Sequence, residues 1–265
     1  MTYGLLGYKI GYSLSPVIHK LIACADLDYR LFDYAPEELE SALSGPMAGL
    51  SGFNVTIPYK ERIMQYCDIL EESAEKIGAV NTIDIKDGLR TGYNTDYTGF
   101  IRVIKENIPD YLSYHPMILG YGGAARAVIF ALETLGFFSA SVLGGENKHD
   151  RKRFTCSVAP LLRLQVSDMN PDIPRLWINC TPVGSVKAPE VPADFINFGK
   201  EDILCDLNYS PCPTHLEQIA QKMGIKTING LQMLIYQAVG AQKIWMGEDA
   251  PSEVNIQAIK QAIKS

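Results

Sequence analysis

The sequence has no cysteine pair at C-x-x-C spacing, and none of its four histidines (His19, His115, His149, His215) pairs with another at metal-ligand spacing. Structural and catalytic metal sites draw their ligands from short, regular spacings, so no metal is expected. The six cysteines (Cys24, Cys67, Cys156, Cys180, Cys205, Cys212) are dispersed and read as reduced, mostly buried thiols of a cytoplasmic protein. Long apolar runs are missing too: no window approaches the roughly 18 residues of a membrane-spanning helix. The opening Met-Thr-Tyr-Gly-Leu-Leu-Gly has neither the basic stretch nor the apolar core of an export signal. Basic charge is scarce, with a net charge of -6 and a pI near 5.3. Lys and Arg cluster only briefly, around Lys148 to Arg153. A nucleic-acid surface is therefore not expected, and a small molecule is the expected partner of a monomer or homodimer.

What is present is enough apolar material for two cores: 47% hydrophobic residues over 265 positions. Short apolar runs alternate with amphipathic segments and no internal repeat stands out, the pattern of an α/β fold with a largely parallel sheet. In the first third, strands are expected at Gly4 to Leu6, Tyr29 to Tyr34 and Gly52 to Ile57, with helical stretches beginning near Ser15, Pro36 and Tyr59. Val80 to Ile85 and Leu89 to Gly92 flank Lys86-Asp87-Gly88, which reads as a hairpin turn. A helix from Gly99 to Asn107, closed by Pro109, leads out of a first domain that ends near residue 98.

The second region opens on the strand Met117 to Leu119, then Gly120-Tyr121-Gly122-Gly123-Ala124-Ala125, then an apolar helix from Val128 to Leu135 ended by Gly136. A dinucleotide site needs that order. The first glycine makes the tight turn, the second admits the pyrophosphate to backbone N–H groups, and the small third residue lets helix pack on strand. The turn alone is a weak signal, since a glycine turn also serves merely to join strand to helix. Further strands at Ser141 to Leu143, Leu176 to Asn179 and Ile203 to Asp206 complete a Rossmann-type doubly wound sheet. Thr181-Pro182 and Tyr209-Ser210-Pro211 follow the carboxyl ends of two of these strands, where ligands bind in such sheets.

Polar residues gather at several points outside this region. Ser13 and Ser15 lie ahead of a helix, although Ser15-Pro16 is also an ordinary N-cap with proline at the first helical position. In Asn54-Val55-Thr56-Ile57-Pro58-Tyr59-Lys60, strand alternation puts Asn54 and Thr56 on one face ahead of Lys60, itself equally readable as a surface charge. Asn81-Thr82 and Asn94-Thr95-Asp96 complete the set, Asp96 also suiting a helix cap or turn. Together they offer hydroxyls, amides, an ammonium and a carboxylate, suited to orienting a hydroxylated acid and moving one proton.

These segments resemble the shikimate dehydrogenase family over nearly the whole chain. The family's S-x-S-P is matched by Ser13 to Pro16, N-V-T-x-P-x-K by Asn54 to Lys60, A-V-N-T by Ala79 to Thr82 and N-T-D-x-x-G by Asn94 to Gly99. Its glycine turn is matched by Gly120 to Ala125, N-x-T-P-x-G by Asn179 to Gly184, D-x-x-Y by Asp206 to Tyr209 and G-x-x-M-L-x-x-Q by Gly230 to Gln237. The resemblance implies that Lys60 and Asp96 are the catalytic pair and that Ser13, Ser15, Thr56, Asn81, Tyr209 and Gln237 hold the substrate. It implies that Gly120, Tyr121, Gly122, Gly123, Ala124, Glu146, Thr181, Leu207 and Gly230 hold the cofactor. It also implies the architecture: a substrate domain of residues 1–98 and 236–265 around an inserted dinucleotide domain of residues 99–235, with a closing helix from Leu231 to Trp245. The implied activity is reversible NADP(H)-linked reduction of 3-dehydroshikimate to shikimate in aromatic amino acid (chorismate) biosynthesis, with the proton role of Lys60 open.

The chain departs from the family at Leu143-Gly144-Gly145-Glu146-Asn147-Lys148, where NADP-dependent members carry N-R-T. Without that arginine, Glu146 suits a ribose diol and NAD, while Lys148, Arg151, Lys152 and Arg153 offer phosphate contacts nearby. The resemblance gives NADP, with NAD as the alternative. An NAD-preferring quinate/shikimate enzyme is the neighbouring reading. A non-catalytic dinucleotide-binding regulator is the reading from another class, against which the presence of both Lys60 and Asp96 argues.

Overall fold

The computed structural model describes residues 1–23, 27–143, 165–166, 173–192, 195–250 and 254–264. Its contacts divide the chain into two compact units, Met1–Gly99 with Leu234–Ser265, and Phe100–Met233. No helix of the described residues is long and apolar enough to cross a membrane.

The first unit is built on a mixed sheet in the order β2-β1-β3-β5-β6-β4. The strands are β1 (Thr2–Gly7), β2 (Asp28–Asp33), β3 (Gly52–Val55), β4 (Ile69–Leu70), β5 (Thr82–Lys86) and β6 (Leu89–Tyr93). β1 runs parallel to β2 and β3, and β5 runs antiparallel to β3 and β6. Alternation along β1 sends Leu6 to one core with Phe53, Val55, Ile63 and Ile83, and Tyr3 and Leu5 to another with Tyr29 and Trp245. Trp245 comes from the far end of the chain, on helix α7 (Leu231–Met246). Its ring stacks on Tyr3 at 4.6 Å and its indole N–H donates to the Ile83 carbonyl at 2.9 Å, which fixes the C-terminal segment in this unit.

Several local expectations need correction. The hairpin turn is Asp87-Gly88 alone, because Lys86 still pairs with Leu89. Both turn residues have positive φ (52° and 79°), the two-residue geometry that a right-twisted hairpin requires. The helical stretch expected near Tyr59 is a short 3-10 helix, Arg62–Tyr66. Three-residue bonds (Met64 N–H to Glu61, Cys67 N–H to Met64) tighten the segment before β4, and only Ile63 in it is buried. The expected helix at Pro36 is a 3-10 turn followed by α2 (Leu39–Ser44). Asn81 precedes β5 instead of lying within it.

The second unit holds a fully parallel sheet in the order β12-β11-β10-β7-β8-β9. Its strands are β7 (His115–Leu119), β8 (Ser139–Leu143), β9 (Gln165–Val166), β10 (Arg175–Asn179), β11 (Ile203–Asp206) and β12 (Lys226–Asn229). The direction of winding reverses between β7 and β10, so a crevice opens beyond their carboxyl ends. Helix α5 (Gly123–Thr134) leaves the glycine turn there, and α6 (His215–Lys222) covers β11 and β12.

Candidate active site

The first unit places Lys60, Asn81 and Asp96 together. Lys60 Nζ donates to Asp96 Oδ2 at 2.5 Å, with side-chain exposures of only 15% and 9%. Lys60 is thus no surface charge. Asp96 opens helix α4 (Asp96–Asn107); its backbone N–H is taken by Asn94 Oδ1 at 3.1 Å, and its carboxylate is turned to Lys60 and Asn81. Oδ1 accepts from Asn81 Nδ2 at 2.9 Å. Asn81 is fixed in turn: its Oδ1 accepts from the Thr95 N–H at 2.7 Å and the Thr82 hydroxyl at 3.0 Å. Behind it, buried Asn54 donates to the Asn81 carbonyl at 3.2 Å and to Thr82 Oγ1 at 3.0 Å, while accepting from the Tyr29 hydroxyl at 2.9 Å. With so many fixed partners, the carboxylate and the ammonium have little orientational freedom.

Gln237, on α7, reaches the same cluster. Its Oε1 lies 3.5 Å from Asn81 Nδ2 and its Nε2 donates to the Leu234 carbonyl at 2.7 Å. Ser13 and Ser15 are joined hydroxyl to hydroxyl at 3.2 Å. Ser13 Oγ also accepts from the Ser15 N–H at 3.2 Å, so Ser13 satisfies the N-terminus of α1 (Ser15–Ala23), a task the sequence alone offers to Ser15. Thr56, half-buried, follows β3 and is held by its N–H to the Leu6 carbonyl at 2.9 Å. Tyr209 belongs to the second unit, on the loop after β11.

In that unit Gly120 has φ of 102°, a conformation in which a side chain is strained, and a Cβ there would meet Thr181 Cγ2 at 3.1 Å. Gly122 caps α5 with no atom within 4 Å of where its Cβ would stand, leaving the helix N-terminus open to an anion. Tyr121 is 43% exposed beside it. A dinucleotide pyrophosphate fits this backbone. Thr181 follows β10 and bonds Asn179 Oδ1 through both N–H and hydroxyl. Gly230 approaches the loop after β11 so closely that a Cβ would stand 2.2 Å from the Leu207 carbonyl oxygen. Gly230→Ala should therefore lower unfolding stability by about 1–3 kcal/mol, read as a shift of the urea midpoint. An unchanged midpoint would contradict the close packing. Glu146 and the run Lys148 to Arg153, which bear on NADP against NAD, lie outside the described residues. No cluster of three or more His, Cys, Asp or Glu among the described residues suits a metal ion.

A glycine-turn parallel sheet and a buried lysine–carboxylate pair in one chain are features suited to a dinucleotide-linked oxidoreductase. Comparison with known proteins narrows the class. A family model described as the shikimate dehydrogenase substrate binding domain matches residues 5–83. The chain is 39% identical to "Shikimate dehydrogenase (NADP(+))" of Caldanaerobacter subterraneus subsp. tengcongensis, over 93% of this chain and 92% of that one. It is 38% identical to the protein of the same name from Methanocaldococcus jannaschii, over 98% and 95%. A crystal structure of shikimate 5-dehydrogenase from Thermus thermophilus in complex with NADP(H) and shikimate superposes with a TM-score of 0.81 at 30% identity, covering 100% of this chain and 99% of that one. The chain belongs to the shikimate dehydrogenase family.

Proposed function

We propose that the protein catalyses the reversible, NADP(H)-linked reduction of 3-dehydroshikimate to shikimate, a step of aromatic amino acid (chorismate) biosynthesis. In this reading the first unit binds the ring acid and the Phe100–Met233 unit binds the dinucleotide, which when bound supplies or takes up the hydride at the ring carbon. The observation that carries it is the buried Lys60–Asp96 pair. The Lys60 ammonium donates a proton to the oxygen that gains charge during reduction and recovers it in oxidation. Asp96, oriented by Asn81, holds the ammonium and accepts from the substrate hydroxyl. Ser13 and Ser15 take the ring carboxylate through their hydroxyls, and Thr56, Asn81 and Gln237 hold the remaining polar groups. The reaction is placed in the cytoplasm, the setting in which dispersed cysteines such as those of this sequence stay reduced.

The test is initial-rate reduction of NADP and of NAD, each with shikimate and with quinate. Turnover is expected to be fastest with NADP and shikimate. Faster turnover with NAD and quinate would replace this reading with that of a quinate/shikimate enzyme. Ser13→Ala should raise the KM for shikimate about tenfold, the loss of one hydrogen bond to a charged group, with kcat close to wild type. A fall in kcat at unchanged KM would move Ser13 into the chemical step.

A further inference from the structure

The Phe100–Met233 unit buries a carboxylate that the proton transfer does not use. Asp206, the last residue of β11, is 0% exposed. The neighbours that bond it are all donors. Oδ1 accepts from Asn179 Nδ2 at 2.9 Å, from the Asn208 N–H at 3.1 Å and from Asn208 Nδ2 at 2.9 Å, and Oδ2 accepts from the Thr214 hydroxyl at 2.7 Å. No cation pairs with it among the described residues. Burial, with a smaller push from Glu217, raises its pKa to about 6 against the pull of these donors. An ionised Asp206 at neutral pH is therefore a cost to the fold, which points to a use other than stability.

Its partners show what that use is. Asn179 accepts from the Thr181 N–H at 3.1 Å and the Thr181 hydroxyl at 2.7 Å, and its carbonyl accepts from the Leu207 N–H at 3.0 Å. Asn208 Nδ2 also donates to the Thr181 carbonyl at 2.9 Å, and the Asn208 carbonyl accepts from the Gly230 N–H at 3.1 Å. Thr214 heads α6, whose Glu217 accepts from the Thr214 N–H at 2.8 Å and from Asn229 at 2.6 Å. Thr181, Leu207 and Gly230 come from the segments after three different strands, yet all are tied to this one carboxylate through Asn179 or Asn208.

The geometry points to Asp206 as a positioning residue for the dinucleotide: it clamps the loops after β10, β11 and β12 so that Thr181, Leu207 and Gly230 present one surface. This rests on the proposed dinucleotide role of the unit. Asp206→Asn keeps the size of the side chain but removes its charge and one acceptor oxygen, which weakens the bonds that join the loops while the sheet is kept.

The test is equilibrium titration of NADPH onto the full chain without substrate, followed by NADPH fluorescence, alongside thermal unfolding. Asp206→Asn should raise Kd about tenfold, the equivalent of one charge-assisted hydrogen bond, and Thr214→Val should raise it less. Trp177→Phe is the control: it loses the indole bond to Asp202 Oδ2 at 2.7 Å, just ahead of β11, and no bond to Asp206, Asn179 or Asn208. Its Kd should stay within about twofold of wild type even where its melting midpoint falls as far as that of Asp206→Asn. A Kd for Asp206→Asn within that same margin overturns the clamp, as does a Kd that tracks lost stability in Trp177→Phe. If Asp206→Asn does not fold, Thr214→Val decides on the same terms. Wild type without affinity for NADPH refutes the dinucleotide reading and the clamp together, whereas binding wild type with an indifferent Asp206→Asn refutes the clamp alone.

Discussion

Lys60→Ala should lower kcat for shikimate oxidation by about 10²- to 10⁴-fold while the KM for shikimate changes by no more than about threefold. The reason is the division of labour in the first unit. The ring carboxylate is assigned to the Ser13–Ser15 pair, and Asp96 keeps its bond from Asn81 Nδ2 when the ammonium is gone. What disappears is the group that takes up the hydroxyl proton as the carbonyl forms, an interaction made in the transition state and not in the ground state. Steady-state kinetics on wild type and variant read this directly. A loss carried mainly by KM would mean that Lys60 binds substrate and does not serve the chemical step.

The second large effect is on stability in acid. His19, in α1, is fully buried and stacked on Tyr29 at 4.2 Å. Gln242 Nε2 donates to the His19 carbonyl at 2.7 Å and faces His19 Nδ1 at 3.2 Å, so Nδ1 must accept and the ring must be neutral. Burial pushes its pKa down to about 3, with Asn54 opposing weakly. The unfolded chain binds a proton at this histidine below about pH 6.5 that the folded chain refuses until about pH 3, so stability present above 6.5 drains away as pH falls. The loss is on the order of 5 kcal/mol across that window. Asp206 works in the opposite sense: with its pKa raised to about 6, its contribution is fully present below about 3.8 and is lost as pH rises through 6. It offsets part of the histidine slope. Urea midpoints between pH 3 and 7 on wild type and His19→Gln separate the two. The variant should be less stable at pH 7 for lack of the ring stack, yet show a much flatter fall toward pH 3. Parallel curves would rule out His19 as the source.

Much of this was legible in the sequence where a signal is local. The strand, glycine turn and helix from Met117 to Leu135 could be read because Gly120 and Gly136 each mark a positive-φ turn. β11 matches its expected span because Ile203 to Cys205 is a short apolar run between Asp202 and Asp206. The tight ends were harder to read. Lys86 stays in the ladder because a cross-strand partner, Leu89, holds it there, and nothing in the dipeptide says so. Lys60 and Asp96 are each ordinary alone. Their pairing depends on the segment after β3 meeting the start of α4, a contact across 36 positions that no local pattern reports.

The residues least visible beforehand are those that hold others. Asn54, Thr82 and Thr95 touch Asn81 from three directions, and their buried hydrogen bonds carry no periodicity. Asp206 and Asn179 stand in matched family segments, but only the fold shows that one carboxylate joins the ends of neighbouring strands. His19 and Gln242 lie 223 positions apart, so their mutual bonding appears only once α7 has returned to the first unit.

The most direct test is isotopic. The full chain is incubated with 3-dehydroshikimate and NADPH deuterated at the transferable position of nicotinamide C4, and the product is examined by mass spectrometry. The proposal predicts one deuterium in shikimate, on the carbon that carried the carbonyl, in amount equal to the NADP formed. NADPH that binds but leaves 3-dehydroshikimate unlabelled and unreduced would contradict the proposal and leave a dinucleotide-binding regulator in its place.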